Sequence, residues 1–146
     1  ADSYDFWLGG IKIEHSKGCI AHSDGDTLIH AICDALLGAA ALGDIGYHFP
    51  DNDQTFKGID SKILLKKVVE LLKDKGYSIG NIDSVVCLQR PKIKPLIPQM
   101  RQALADVMGI DTEDIAVKAT TTEKLGFVGR EEGVAAYAVA LIYKTK

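Results

Sequence analysis

Residues 22–43 read HSDGDTLIHAICDALLGAAALG, in which a short run of titratable side chains continues into an almost wholly apolar segment. Apolar side chains recur in it at the spacing of one helical face, namely Ile29, Ile32, Cys33, Leu36 and Leu37. The pattern predicts a helix that begins near residues 25–26, is capped by Asp24 or Ser23, and ends around residues 41–43. Titratable groups at the start of a buried helix are costly to desolvate unless they are paired or bind something.

The segments around this helix alternate between strand and helix patterns. Residues 44–60 have the Gly, Pro, Asp and Asn content of an irregular loop. Amphipathic helices are predicted within residues 61–76 and 96–109; the first has Asp60 or Ser61 as its cap and ends just before Gly76. Strands are predicted within residues 7–13, 82–89, 115–120 and 134–144. This order predicts an α+β fold, an α/β sandwich in which helices cover one face of a small sheet.

The last predicted strand, VAAYAVALIYK at residues 134–144, is apolar at nearly every position. Because the predicted helices cover one face of the sheet, the other apolar face is expected to be exposed in a single chain. Self-association through the sheet would bury that face. The alternative is a strand in the interior of the domain that is covered on both sides.

Length and composition restrict the class of protein. The 146 residues predict one domain over residues 1–146, and the net charge of −3 provides no basic surface for nucleic acid. Three cysteines without CxxC spacing favour reduced thiols. No apolar run reaches the ~18 residues of a membrane span, and no signal peptide is visible, so no membrane partner is expected. The default location is a bacterial cytoplasm, with a plastid as the alternative if a transit peptide has been removed.

Three side chains of the first helix, Asp26, His30 and Asp34, share one face at spacings of four residues. A histidine with a carboxylate one turn away is typical of half a divalent metal site, since zinc needs three or four ligands. The alternative is a helix cap and a buried histidine. His22 precedes the helix, where it could contact an anion bound at the helix start.

Two loops carry further polar clusters. The loop DIGYHFPDND at residues 44–53 could bind hydroxyl groups or a cation, or could be an ordinary solvated loop. The segment RPKIKP at residues 90–95 places three basic side chains between prolines, which suits phosphate and a base, or else forms an ordinary basic turn.

A third cluster, KATTTEKLGF at residues 118–127, supplies hydroxyl groups, a carboxylate and a lysine at the end of a strand. These groups are typical of a phosphate and Mg²⁺ site, although successive threonines are also simply good strand formers. The sequence contains no Ser/His/Asp order, no P-loop and no dinucleotide-binding glycine motif, so nucleophilic covalent catalysis and dinucleotide chemistry are disfavoured. Two-metal phosphoryl chemistry remains compatible with the sequence.

Taken together and in order, these motifs resemble the family of 2-C-methyl-D-erythritol 2,4-cyclodiphosphate synthases. The blocks that carry the resemblance run from about Leu8 to the C-terminus: AHSDGD (21–26), DALLGAAALGDIG (34–46), FPDND (49–53), GYSIGNID (76–83), RPKIKP (90–95) and KATTTEKLGF (118–127).

The resemblance implies an enzyme of the non-mevalonate isoprenoid pathway, a phosphorus–oxygen lyase. Its substrate is 4-diphosphocytidyl-2-C-methyl-D-erythritol 2-phosphate, whose 2-phosphate attacks the β-phosphorus to give the cyclic diphosphate and CMP. The family implies a homotrimer with active sites between subunits and, in each chain, a four-stranded mixed sheet that faces the trimer axis, with about three helices on the other face.

The resemblance also implies the roles of individual residues. His30 matches a ligand for Zn²⁺ or a similar divalent cation, and Glu123 a ligand for Mg²⁺ or Mn²⁺. His22 and Thr121 match the residues that stabilise the transition state. Substrate-binding positions are matched by His22, Ser23, Asp44, Ile45, Gly46, Phe49, Pro50, Asp51, Asn52, Asp53, Phe127 and Arg130. Nucleotide-binding positions are matched by Leu88, Gln89, Arg90, Pro91, Lys92, Ile93, Lys94, Thr120, Thr121, Thr122 and Glu123.

One feature of the family is not found in residues 1–146. The family's N-terminal strand carries an Asp-x-His motif with the other two zinc ligands, and Asp5 has no histidine at that spacing. We therefore expect a single synthase domain without that strand, and an upstream segment that supplies those ligands. The alternatives are a nucleotide-binding module without turnover, which would bind CMP or CDP, and a purely structural trimer, which would not.

Overall fold

The computed structural model describes residues 6–13, 26–49, 58–89, 92–120 and 133–145. In chain order the strands are β1 (Phe6–Leu8), β2 (Ile11–Ile13), β3 (Tyr77–Cys87), β4 (Ile115–Thr120) and β5 (Ala135–Lys144). The α-helices are α1 (Thr27–Ala39), α2 (Ile45–His48), α3 (Gly58–Asp74) and α4 (Ile97–Met108), and short 3₁₀ turns precede α4 and β4.

The larger sheet has the strand order β4-β3-β5, and β1 and β2 form a separate antiparallel hairpin. Strand β3 pairs in parallel with β4 and antiparallel with β5, so the predicted mixed sheet is confirmed. A register shift lies between Ile79 and Asn81 of β3. This sheet has three strands within the described residues, and the expected count of four stays a prediction.

The core lies between this sheet and the three longer helices, as the predicted sandwich requires. Helix α1 packs on β5 and on α3, while α4 packs on β4 and on α3. The sheet contributes buried side chains such as Ile82, Val86 and Val117 to this layer. Side chains alternate between the two faces of a strand. The neighbours of these buried residues therefore lie on the face of the sheet that is turned away from the helices.

The start of α1 differs from the prediction. Asp26, rather than Asp24 or Ser23, caps the helix, and its side chain accepts a hydrogen bond from the Ile29 amide. Asp24 and Ser23 lie outside the described residues. The apolar face is as predicted: Leu28, Ile29, Ile32, Cys33, Leu36 and Leu37 are all buried.

Two more boundaries correct the sequence-based prediction. Helix α3 begins at Gly58, so Ser61 lies within the helix instead of capping it. Helix α2 lies within residues 44–60, which were expected to be irregular throughout. The end of α4 is as predicted, because Gly109 terminates it with the positive φ of 70° that favours glycine.

The face of the sheet opposite the helices carries large exposed apolar side chains. On β5, Tyr137, Val139, Leu141 and Tyr143 are 65%, 71%, 64% and 55% exposed. On the same face, Lys118 of β4 pairs with Asp83 of β3 at 2.9 Å. The apolar sheet face expected from residues 134–144 is therefore present, and the helices do not cover it.

Among the helices in the described part of the chain, none is both long enough and apolar enough to cross a membrane.

Candidate functional site

The carboxyl ends of β3 and β4 lie side by side, because the two strands are parallel neighbours. Cys87 is in register with Thr120, and the Leu88 amide donates a hydrogen bond to the Thr120 carbonyl at 3.0 Å. The predicted nucleotide-binding loop begins at Leu88, and the predicted phosphate motif begins at Thr120. Two motifs that are 32 positions apart in the sequence therefore start from one edge of the sheet.

A cavity of about 280 Å³ opens at this edge. It is lined by Leu88, Gln89, Lys92, Ile93, Lys94, Ala119 and Thr120. The cavity has an apolar floor, since Leu88 and Ile93 are buried, whereas Lys92 and Lys94 are exposed and cationic. An apolar pocket with basic groups at its rim suits a base attached to phosphate groups.

Two lining residues of this cavity, the predicted Gln89 and the unpredicted Ala119, carry further information. Gln89 has a buried Oε1 atom without a hydrogen-bond partner in the described structure, so a lining acceptor is left unsatisfied. Ala119 lines the cavity but was not among the predicted site residues. Its position immediately before the threonines was the available signal, because a small side chain there leaves room between the strand ends.

Helix α1 carries His30, which is half-buried one turn into the helix. Its Nε2 atom is buried and has no hydrogen-bond partner in the described residues. Burial lowers the pKa of the His30 imidazole, although the carboxylates of Asp26 and Asp34 act to raise it. A neutral imidazole with an unpaired nitrogen is what a divalent cation such as zinc requires of its ligand.

Asp26 has a structural position rather than a ligand position. It is fully buried, and its carboxylate accepts hydrogen bonds from the amides of Gly9 at 2.9 Å, Gly10 at 2.7 Å and Ile29 at 3.0 Å. Its own amide donates to the Ser61 hydroxyl at 3.3 Å. Both carboxylate oxygens are thus occupied, so the helix-cap interpretation is the correct one for this residue.

The segment after α1 carries the predicted substrate residues Asp44, Ile45 and Gly46. Asp44 caps α2 by accepting a hydrogen bond from the Tyr47 amide at 2.9 Å. The Ile45 amide donates to Oδ1 of Asp34 at 3.1 Å, and the Ile45 side chain is buried in the core. The segment Asp44–Gly46 is therefore attached directly to the helix that carries His30.

The described residues include no group of three or more His, Cys, Asp or Glu side chains that could hold a metal ion. The metal ligand predicted at Glu123 lies outside the described residues, as do the following predicted site residues: His22, Ser23, Pro50, Asp51, Asn52, Asp53, Arg90, Pro91, Thr121, Thr122, Phe127 and Arg130. Their roles stay predictions. Within the described structure, Phe49 follows α2 and is half-buried.

The fold and the site define a class of protein: an α/β sandwich with an apolar pocket, rimmed by lysines, at the carboxyl ends of two parallel strands, and with a half-buried histidine on α1 whose Nε2 atom has no hydrogen-bond partner in the described residues. The model of the YgbB family matches residues 1–143, and the chain belongs to this family.

Curated relatives agree with that assignment. The chain is 67% identical over 138 residues to a 2-C-methyl-D-erythritol 2,4-cyclodiphosphate synthase of Bacteroides fragilis, an alignment that covers 94% of this chain and 87% of the relative. It is 61% identical over 142 residues to the synthase of Porphyromonas gingivalis, covering 97% of this chain and 88% of the relative.

Solved structures are similar as well. The bifunctional IspDF from Campylobacter jejuni superposes with a TM-score of 0.88 at 42% identity, covering 99% of this chain and 39% of that one. The Plasmodium falciparum IspF in complex with CDP superposes with a TM-score of 0.82 at 34% identity, covering 100% of this chain and 88% of that one.

Proposed function

We propose that this chain is a 2-C-methyl-D-erythritol 2,4-cyclodiphosphate synthase, an enzyme of the non-mevalonate isoprenoid pathway. It converts 4-diphosphocytidyl-2-C-methyl-D-erythritol 2-phosphate to the cyclic diphosphate and releases CMP, which makes it a phosphorus–oxygen lyase. The observation that carries the proposal is the pocket between Leu88 and Thr120, in a chain 67% identical to a synthase of that name. A CDP complex of a similar structure supports a cytidine nucleotide as the occupant.

The reaction is an intramolecular substitution at phosphorus. An oxygen of the 2-phosphate forms a bond to the β-phosphorus, and the bond from that phosphorus to the bridging oxygen breaks. CMP leaves with the electron pair of the broken bond. Because the nucleophile belongs to the substrate, the protein needs to position two phosphates and neutralise their charge, which are large contributions to phosphoryl transfer.

The described residues fit this task in two parts. The cavity at the ends of β3 and β4 would hold the cytidine, with Lys92 and Lys94 close enough to its rim to attract the diphosphate. The segment Asp44–Gly46 and Phe49 would line the methylerythritol phosphate. His22, Ser23, Pro50–Asp53, Phe127 and Arg130 are proposed to complete this second part, with His22 and Thr121 stabilising the transition state.

Members of this family use divalent metal, and we propose Zn²⁺ at His30 and Mg²⁺ or Mn²⁺ at Glu123. The unpaired Nε2 of His30 supports the first assignment. Bound cations would supply Lewis-acid polarisation and neutralise phosphate charge. The further ligands for the cation at His30 are proposed to come from outside the described residues.

We propose a homotrimer with active sites between subunits, supported by the apolar outer face of the sheet. No nucleic-acid partner or membrane partner is proposed. A bacterial cytoplasmic location is proposed on the bacterial sources of the curated relatives.

The deciding experiment incubates the purified full-length protein with the substrate, Mg²⁺ and Zn²⁺, and follows the products by ³¹P NMR and mass spectrometry. Stoichiometric appearance of CMP and the cyclic diphosphate is expected. Calorimetric binding of CDP without any turnover would contradict the synthase and support a nucleotide-binding module. Failure to bind CDP at all would support a purely structural trimer.

A further inference from the structure

The backbone that carries Asp44, Ile45 and Gly46 has little structure of its own to hold it in place. Helix α2 has four residues, which is a single turn, and an isolated helix of that length is unstable in water. Its conformation is therefore imposed by the rest of the chain, through burial of the Ile45 side chain in the core and through side-chain hydrogen bonds in and around the turn. In the described structure two side chains accept hydrogen bonds from amides of α2, and the His48 side chain of α2 donates one to the Leu42 carbonyl that precedes the helix.

The first contact is local, since Asp44 caps its own helix through the Tyr47 amide. The second joins the last residue of α2 to the chain before the helix, through a hydrogen bond between Nε2 of His48 and the carbonyl of Leu42. A carbonyl oxygen can only accept, so this ring nitrogen is the donor. These two contacts shape the turn, but neither attaches it to α1.

The third contact makes that attachment. Oδ1 of Asp34 accepts a hydrogen bond from the Ile45 amide at 3.1 Å, across 11 positions of sequence. Asp34 lies one turn after His30 on α1, and Ile45 lies between the two flanking substrate positions. The bond thus joins the proposed metal-bearing helix to the proposed substrate segment through one side chain.

We propose that Asp34 is a positioning residue, whose carboxylate oxygen fixes the Asp44–Gly46 backbone relative to His30. The expected effect on kcat/KM rests on the proposed function, whereas the expected effect on the Ile45 amide does not. Because Asp34 acts through the Ile45 amide, an acceptor oxygen is required at this position, whereas a negative charge is not. The resulting geometry serves the methylerythritol phosphate and is independent of the cytidine pocket.

The test compares Asp34→Ala, which removes the acceptor, with Asp34→Asn, which keeps an acceptor oxygen and removes the charge. Glu113→Ala is the matched control, because this exposed carboxylate precedes β4 at the end of the strand opposite the cavity. For each protein, kcat and KM, CDP affinity and zinc content are measured. Hydrogen exchange at the Ile45 amide is followed by NMR.

For Asp34→Ala we expect kcat/KM to fall by about 10- to 100-fold, mostly in kcat, because misplaced reactants lose alignment. The Ile45 amide should exchange faster, while CDP affinity and zinc content stay within about twofold of the wild type. Asp34→Asn should restore kcat/KM to within about threefold, and Glu113→Ala should behave as the wild type.

Equal losses of kcat/KM in Asp34→Asn and Asp34→Ala would overturn the proposal, because they would show that the negative charge of Asp34 is needed and that an acceptor oxygen is not enough. Unchanged Ile45 exchange in Asp34→Ala would also overturn it, and this readout holds even if the wild type shows no turnover. An inactive wild type with the expected exchange difference would contradict the synthase function and leave the positioning contact established. If Asp34→Ala does not fold, Asp34→Ser, whose shorter side chain cannot reach Ile45, replaces it in the same measurements.

Discussion

At the scale of single residues, Asp26 joins segments that are far apart in the sequence. Its carboxylate binds the turn between β1 and β2 and the start of α1, and its amide binds Ser61 of α3. Burial raises the pKa of the Asp26 carboxyl, although hydrogen bonds from Ile29, Gly10 and Gly9 act to lower it. A buried carboxylate with this many partners is a structural requirement of the fold.

Replacing Asp26 by alanine should therefore be strongly destabilising. The substitution leaves the buried amides of Gly9, Gly10 and Ile29 without acceptors, and the free energy of unfolding should fall by about 2–4 kcal/mol. Urea denaturation monitored by circular dichroism measures this difference. Glu70→Ala, which removes an exposed carboxylate on α3, should change stability by less than about 0.5 kcal/mol, and a comparable loss there would contradict the assignment.

Cys33 provides a second prediction at this scale. The side chain is fully buried in α1, and burial raises the pKa of its thiol well above the usual range. The protonated thiol therefore persists at neutral and mildly alkaline pH, and the nucleophilic thiolate is absent. Peptide-level mass spectrometry should find Cys33 unmodified by iodoacetamide in the native protein and fully modified in denaturant. Native labelling at pH 8 would show that α1 opens readily.

At the scale of elements, replacing a glycine by alanine should lower the free energy of unfolding at the end of a helix and raise it inside a helix. Gly109 ends α4 with a φ of 70°, whereas Gly38 lies inside α1, where an added Cβ would meet no atom of the described residues within 4 Å beyond its chain neighbours and the backbone of the helix itself. Gly109→Ala should lower the free energy of unfolding by about 1 kcal/mol, because an L side chain is strained at positive φ. Gly38→Ala should raise it by about 0.5–1 kcal/mol. Thermal denaturation of both variants checks the pair, and destabilisation by both would contradict it.

The elements that were predicted well are those specified by local pattern. The limits of β4 match residues 115–120, and α4 ends at Gly109, because alternation and a glycine cap are visible within a few residues. Helix α2 was missed because its Ile45 amide is satisfied by Asp34, 11 positions away. The cap of α1 was misplaced for the same reason, since the partners of Asp26 at Gly9, Gly10 and Ser61 are non-local.

The site shows the same division between local and tertiary information. The motifs beginning at Leu88 and Thr120 were identifiable individually, but only the parallel pairing of β3 and β4 brings them to one cavity. His30 was recognisable from its spacing to Asp26 and Asp34. Its spacing could not separate the roles of the two carboxylates, one a buried cap and the other the acceptor for Ile45.

At the scale of the whole molecule, the proposed assembly depends on the outer face of the sheet. Leu141→Glu places a charge among Tyr137, Val139 and Tyr143, so it should dissociate the proposed trimer and abolish activity at shared sites. Sedimentation velocity measures the oligomeric state. Ile63→Glu is the matched control, since Ile63 is a 50% exposed apolar residue on α3, and it should leave both assembly and activity unchanged. A trimer that survives Leu141→Glu would exclude this face as the interface.

The ion pair between Lys118 and Asp83 lies on that same apolar face. A wholly apolar surface can slide over a copy of itself with little change in free energy. Such a surface provides affinity, but it does not select one relative orientation of the two copies. A fixed pair of charges can be covered only where a partner group meets it, and every other arrangement incurs a desolvation penalty. The pair would thus reduce the strength of association while selecting one geometry from many, which is the property that a site shared between subunits requires.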